Sequence, residues 1–166
     1  GDPIAAVRSA RRAISLDGGK ADYHYQLGLA FHEAKVPLDA LAALQEATRI
    51  DPAHADAWER QGDVLVLLNA GADAVRAYQT ALEKDPARTR LLLTIADSQL
   101  QSNRWDAAIA TLQRARRSGV AEGVAFRLGI AHQEKGRHAE AIRWFSEAAR
   151  EAPDDARPWK QLGYAY

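Results

Sequence analysis

Five histidines, two evenly spaced aspartates and one arginine-rich stretch are the residues of this chain most suited to chemistry. His24, His32, His54, His132 and His138 are scattered. None forms the two-histidine helical pair with an intervening glutamate that binds zinc. His32 and Glu33 are neighbours, but adjacent residues on a helix point in different directions. Asp63 and Asp97 lie 34 residues apart. Paired carboxylates can divide acid–base work, yet no nucleophile or oxyanion donor accompanies them, so a solvated acidic patch is expected. Arg104, Arg114, Arg116 and Arg117 are expected on a solvated outer face that could touch an acidic partner. Glycines occur singly, so no loop cradles a phosphate. There is no cysteine, which excludes disulfides and thiolate metal sites. These residues predict a protein that is not an enzyme and holds no cofactor or metal.

Composition narrows the partners. Lysine and arginine together number 22 and so do aspartate and glutamate, for a formal net charge of +0. A nucleic-acid or membrane-surface binder would normally carry a basic excess. No apolar run approaches a membrane span, and the first residues lack a signal-peptide pattern. The sequence has no methionine, even at its start, so a fragment of a longer protein is expected. Its richness in alanine and arginine over lysine hints at a GC-rich bacterial genome. The compartment stays open, with the cytoplasm favoured over the periplasm.

The elements that position these residues follow from a period. Gly28, Gly62, Ala96 and Gly129 are spaced by 34, 34 and 33 residues. Around them recur Leu27 and Leu128, then Ala40, Ala74 and Ala141, then Leu44, Tyr78 and Phe145, then Ala47, Ala81 and Ala148. Each unit reads as two amphipathic helices. In one, Ala74, Tyr78, Ala81 and Leu82 form an i, i+4, i+7, i+8 stripe. Small residues belong where two helix axes approach closely. Glycine inside a helix costs roughly 1 kcal/mol against alanine, so Gly28, Gly62, Gly129 and Gly163 each predict tight packing. Pro52, Pro86 and Pro153 end second helices. Short polar turns around Lys35, Asn69, Asn103 and Gly136 separate the helices of a unit.

This pattern resembles the tetratricopeptide repeat family, whose unit carries Trp-x2-Leu-Gly-x2-Tyr, then Ala-x3-Phe, then Ala and Pro. The resemblance covers nearly the whole chain as one array: a half unit at 3–16, units 21–54, 55–88, 89–121 and 122–155, and a half unit at 156–166. It implies an all-α fold, a right-handed α-solenoid of stacked antiparallel helix pairs. Helices are expected near 3–16, 21–35, 38–50, 55–69, 72–84, 89–102, 104–117, 122–135, 138–151 and 156–166. Unit 89–121 departs from the pattern, with Ala96 for glycine and no closing proline. The missing residue of the 33-residue step falls in the turn Ser118-Gly119-Val120, where an altered packing angle is expected. His24 and His132 fall where the family puts aromatics and are expected in the core. The half units at the two ends should leave packing faces uncovered, including Trp159 and Tyr166, which makes end-to-end self-association possible.

The resemblance also implies where a partner sits, because first helices line the concave face in this family. The residues placed there are Tyr25, Leu29, Glu59, Asp63, Leu93, Asp97, Phe126, Arg127, Ile130, Lys160 and Tyr164. Apolar members would make contact off the core stripe. Asp63 and Asp97 would meet a basic group, and Arg127 and Lys160 an acidic one. Acidic residues gather in the first half (Asp22, Asp56, Glu59, Asp63, Asp97) and basic ones in the second (Arg127, Arg157, Lys160). The carboxylate clamp of chaperone-binding members is absent: its positions hold Tyr25, Leu29, Arg60, Arg90 and Thr94. So is the asparagine ladder of members joined to sugar-transferring enzymes, replaced by Gln26, Arg60, Thr94, Arg127 and Gln161. The reading is a scaffold binding a peptide, helix or small folded domain of a partner protein, with no nucleic acid and no membrane insertion. The alternative is the non-catalytic recognition arm of a larger enzyme such as a glycosyltransferase.

Overall fold

A computed structural model describes residues 2–165, and every element among them is helical. The chain divides into two compact units, Gly1–Arg88 and Thr89–Tyr166. The first holds α1 (Pro3–Leu16), α2 (Ala21–Glu33), α3 (Pro37–Ile50), α4 (Ala55–Leu67) and α5 (Gly71–Lys84). The second holds α6 (Leu91–Gln101), α7 (Trp105–Arg117), α8 (Val124–Glu134), α9 (His138–Glu151) and α10 (Ala156–Ala165). None is long and apolar enough to cross a membrane.

Within each unit, successive helices pack as pairs. α2 lies on α3 and α4 on α5; α6 lies on α7 and α8 on α9. First helices also touch one another, α2 with α4 and α6 with α8. The pairs close on the small residues of the period. A Cβ added to Gly28 would come within 2.6 Å of Leu44 Cγ, and one added to Gly62 within 2.6 Å of Tyr78 Cδ1. At Gly129 it would lie 2.5 Å from Phe145 Cδ1. Each large side chain thus fills the space that the facing glycine leaves. Ala96 and Leu112, at the corresponding positions of unit 89–121, are fully buried.

Gly163 corrects the expectation. An added Cβ there would meet nothing within 4 Å. The other three glycines face the residue sixteen positions later on the following helix, and this sequence has no such residue after Gly163. At the ends of the array Ile4 and Leu16 are exposed, and so is Trp159. Tyr166 lies outside the described residues.

The turns repeat as well. Lys35, Asn69, Asn103 and Gly136 all take a left-handed backbone with φ between 56° and 70°. That conformation lets the chain reverse after a helix, and asparagine and glycine adopt it readily. Helix entrances share a second device. Trp58 Nε1 donates to Pro52 O at 3.1 Å, and Trp159 Nε1 to Pro153 O at 3.2 Å. His24 Nε2 stands 3.1 Å from Gly18 O in the same register. The ring therefore takes over the aromatic's role, with its proton on Nε2.

α6 and α8 differ from expectation. They begin at Leu91 and Val124, two residues later than the repeat register places them, whereas α2 and α4 start on register. α4 is capped by His54, whose Nδ1 accepts from Ala57 N–H at 3.3 Å. α6 and α8 have no side-chain cap at all. Instead, Leu92 and Leu93 bond back three residues to Thr89 and Arg90. α8 is entered through Gly123 in a left-handed conformation at φ 72°.

His132 occupies a core position, 8% exposed, and its Nδ1 has no partner. Burial, assisted by nearby Arg137, holds its pKa below the ordinary value of 6.5. The folded state therefore disfavours the imidazolium, and unfolding takes up a proton in acid. The resulting stability is fully present above pH 6.5 and is lost as pH falls toward the depressed folded value. Urea unfolding at pH 7.5 and pH 5 is expected to show that loss. The His132→Phe variant should show a smaller difference between the two pH values.

Candidate partner-binding grooves

In the second unit the shortened starts of α6 and α8 border an open cavity of about 1160 Å³. Leu93, Leu100, Phe126 and Ile130 supply its apolar lining. Phe126 and Ile130 are not free of the core, as a position off the core stripe would require. Both are half-buried against the cluster of Ala141, Phe145, Ala149 and Leu162. The Phe126 and Phe145 rings lie 5.8 Å apart at 52°, a tilted geometry favoured by ring quadrupoles. Each of the two residues thus shows one side to the groove and one to the interior.

The charges of this groove are also rearranged. Asp97 and Arg127 bind each other and do not stand free for two partner groups. Arg127 Nε donates to Asp97 Oδ1 at 2.6 Å and Nη2 to Oδ2 at 2.8 Å. That hydrogen-bonded pairing raises the pKa of the guanidinium further. The fork joins α6 to α8, a use for which arginine's planar geometry suits it. Nη1 also donates to Gly123 O at 3.2 Å. A Cβ on Gly123 would fall 2.6 Å from that nitrogen. Glycine is therefore favoured by its φ, and a Cβ there would have to displace the guanidinium. Gly123→Ala is expected to cost about 1–2 kcal/mol in backbone strain and to dislodge the fork. Loss of the protected Arg127 Nε–H signal in NMR spectra would report the second effect.

In the first unit Tyr25 packs partly on the cluster of Ala40, Leu44 and Val64, and its ring sits 4.8 Å from that of His54. His54 Nε2 lies 3.3 Å from Asp22 Oδ1 but makes no hydrogen bond. Leu29 is half-buried. The carboxylates here are not a bare acidic patch. Asp63 accepts from Arg60 at 2.7 Å and from the Tyr78 hydroxyl at 2.8 Å. Burial, with Asp63 adding to it, pushes the Tyr78 hydroxyl well above its ordinary pKa. Arg88 bonds Asp56 at 2.7 Å, Asp85 at 2.9 Å, and Glu59 as well. Hence Glu59 and Asp63 each carry an internal cation.

The two remaining candidates belong to α10. Lys160 and Tyr164 are exposed, with the ammonium 5.8 Å from the ring centroid. The arginine-rich stretch meets its own unit: Arg116 stacks on Trp144 at 5.2 Å and pairs with Glu147 at 2.6 Å. The sequence reading missed Arg88 and Gly123. Arg88 could have been found from Asp56 and Glu59, which present two carboxylates on the first turns of α4. Gly123 was visible only as an unusual residue where a helix was expected to have begun.

Comparison with known proteins agrees with this fold. The tetratricopeptide repeat family matches residues 1–52, 37–89 and 93–156. Superkiller complex protein 3 of Mus musculus is 31% identical over 182 residues, covering 99% of this chain and 11% of its own length. The peroxisomal targeting signal receptor of Komagataella phaffii is 34% identical over 91 residues, covering 54% of this chain and 16% of the receptor. Among solved structures, MamA superposes with a TM-score of 0.82 at 20% identity, over 95% of this chain and 92% of MamA. YrrB, a repeat protein with an unusual peptide-binding site, gives a TM-score of 0.78 at 21% identity, over 97% of this chain and 84% of YrrB. The chain spans only 11% and 16% of the length of these two relatives, and the structural likenesses bear on fold alone. With paired helices, glycines under large side chains and a matching family pattern along nearly its whole length, the chain belongs to the tetratricopeptide repeat family.

Proposed function

We propose that this chain is a protein-interaction scaffold that binds an extended segment or a helix of a partner protein on its first helices. The observation that carries the reading is the groove of the second unit. Leu93, Leu100, Phe126 and Ile130 line a cavity of about 1160 Å³, and apolar side chains gathered on an open concave surface usually mark a partner site. Leu93, Asp97, Phe126, Arg127, Ile130, Lys160 and Tyr164 make up the proposed surface there. In the first unit the proposed residues are Tyr25, Leu29, Glu59 and Asp63. The Asp97–Arg127 fork acts as one dipolar group, offering an acceptor and N–H donors to a peptide backbone. It does not act as two separate charges. A targeting-signal receptor and a peptide-binding repeat protein among the similar proteins favour a peptide segment as ligand.

The test is a peptide-display selection on the whole chain, followed by affinities of the selected peptides for variants. Leu93→Ala and Phe126→Ala should weaken binding. Arg114→Ala and Arg117→Ala should leave it unchanged. The opposite pattern would move the partner to the outer face and end this reading.

A further inference from the structure

Phe126 has an interior side and an occupied outer side. Behind it stand Phe145 and the buried residues around Leu162. In front of it the Arg157 guanidinium lies 5.2 Å from the ring centroid. An aromatic face carries negative electrostatic potential and attracts a cation. Arg157 reaches the ring from the first turn of α10, and its side chain is 73% exposed. Its other partner is Asp155, with Nη2 at 2.7 Å from Oδ2 and Nε at 3.0 Å from both oxygens. This is a solvent-washed cation held on an aromatic face that itself opens on the groove.

The lining of the cavity favours a cation at that place. It includes the carboxylates of Asp97, Glu122, Glu151 and Asp155 and the guanidinium groups of Arg90, Arg127 and Arg157. Arg127 is committed to Asp97 and Arg157 to Asp155. If Arg157 swings away, four carboxylates face two arginines. The Glu151 carboxyl is held above its ordinary pKa by burial and by Glu147 beside it. An arriving apolar side chain could cover Phe126 but would leave Asp155 without its cation.

We infer that Arg157 is an internal stand-in for a ligand group: the partner segment presents an arginine or lysine that replaces Arg157 over Phe126 and takes up Asp155. This rests on the groove being the binding surface and narrows the partner to a segment with a cationic side chain between apolar ones. Removing the stand-in should therefore strengthen binding, which is the reverse of what deleting an ordinary contact does.

The experiment titrates a terminally blocked Gly-Leu-Arg-Leu-Gly peptide, and the same peptide with norleucine for arginine, into the whole chain and into Arg157→Gln. Ring signals of Phe126 and methyl signals of Leu93 and Ile130 are followed by NMR. The arginine peptide should bind Arg157→Gln roughly twofold to fivefold more tightly than the native chain, the size of an exposed cation–π contact. The norleucine peptide should not distinguish the two proteins. Phe126→Leu, which keeps apolar volume without the aromatic face, should abolish the preference for arginine. Unchanged or weaker binding to Arg157→Gln overturns the inference. If both peptides shift the Leu93 and Ile130 methyls equally, the groove stands as a binding surface and the cation site does not. If neither peptide shifts them, the cation site is overturned and the groove reading loses support with it.

Discussion

Gly62→Leu is expected to destabilise the first unit by about 3 kcal/mol, the upper part of the range for overpacked cores. The reason is local and geometric. A Cβ at this position would enter the Tyr78 ring, which is 2% exposed and cannot swing aside. The Tyr78 hydroxyl is pinned by its bond to Asp63 at 2.8 Å, so moving the ring also breaks a partly buried polar link. The helices α4 and α5 must separate, and the contacts of Ala74 and Ala81 separate with them. Gly163→Ala is the matched control. Nothing lies within 4 Å of that position, so gaining helix propensity should stabilise α10 by up to about 1 kcal/mol. Urea unfolding of the two variants should move in opposite directions from the native chain.

The largest effect on binding is expected at Phe126. Aromatic anchors at the centre of an interface commonly carry most of its energy. Phe126→Ala should weaken a selected ligand by about 1–3 kcal/mol. Part of the ring also supports Phe145 and Leu162, so the variant should lose stability as well, and its helicity must be shown intact at the temperature of the binding measurement. Isothermal titration gives the comparison. A loss smaller than that from Leu93→Ala would contradict its rank as the main anchor, and no loss at all would remove Phe126 from the surface. Charge substitutions differ in kind. Asp63→Asn cannot be read as a pure surface change, because Asp63 holds both Arg60 and Tyr78. It should lower the stability of the first unit before it alters any encounter rate.

These expectations show what could be read in the residues and what could not. Gly28, Gly62 and Gly129 could be read because close helix approach demands a small residue at a fixed interval from a large one, and both members stand in the sequence. The same rule failed at Gly163, since it needs a facing helix and the residue type alone does not supply one. Helix starts at Ala21 and Ala55 followed the register, while α6 and α8 started two residues late, α8 behind the left-handed Gly123. Five of the residues placed on the first-helix face, Leu93, Asp97, Phe126, Arg127 and Ile130, line the cavity of the second unit. Their pairings were not legible. Which carboxylate a long arginine reaches depends on rotamers and on space made elsewhere, as Gly123 makes it for Arg127. Arg88, Arg127 and Arg157 therefore turned expected open charges into internal pairs.

The claim that the first helices form the partner surface is tested most directly by hydrogen–deuterium exchange on the whole chain, with and without a saturating display-selected peptide. Added protection should appear in α6, in α8 and in the 118–123 turn that borders the cavity, with α7 unchanged along its Arg114–Arg117 face. Protection confined to α7 and α9, with α6 and α8 exchanging as in the free protein, would contradict it.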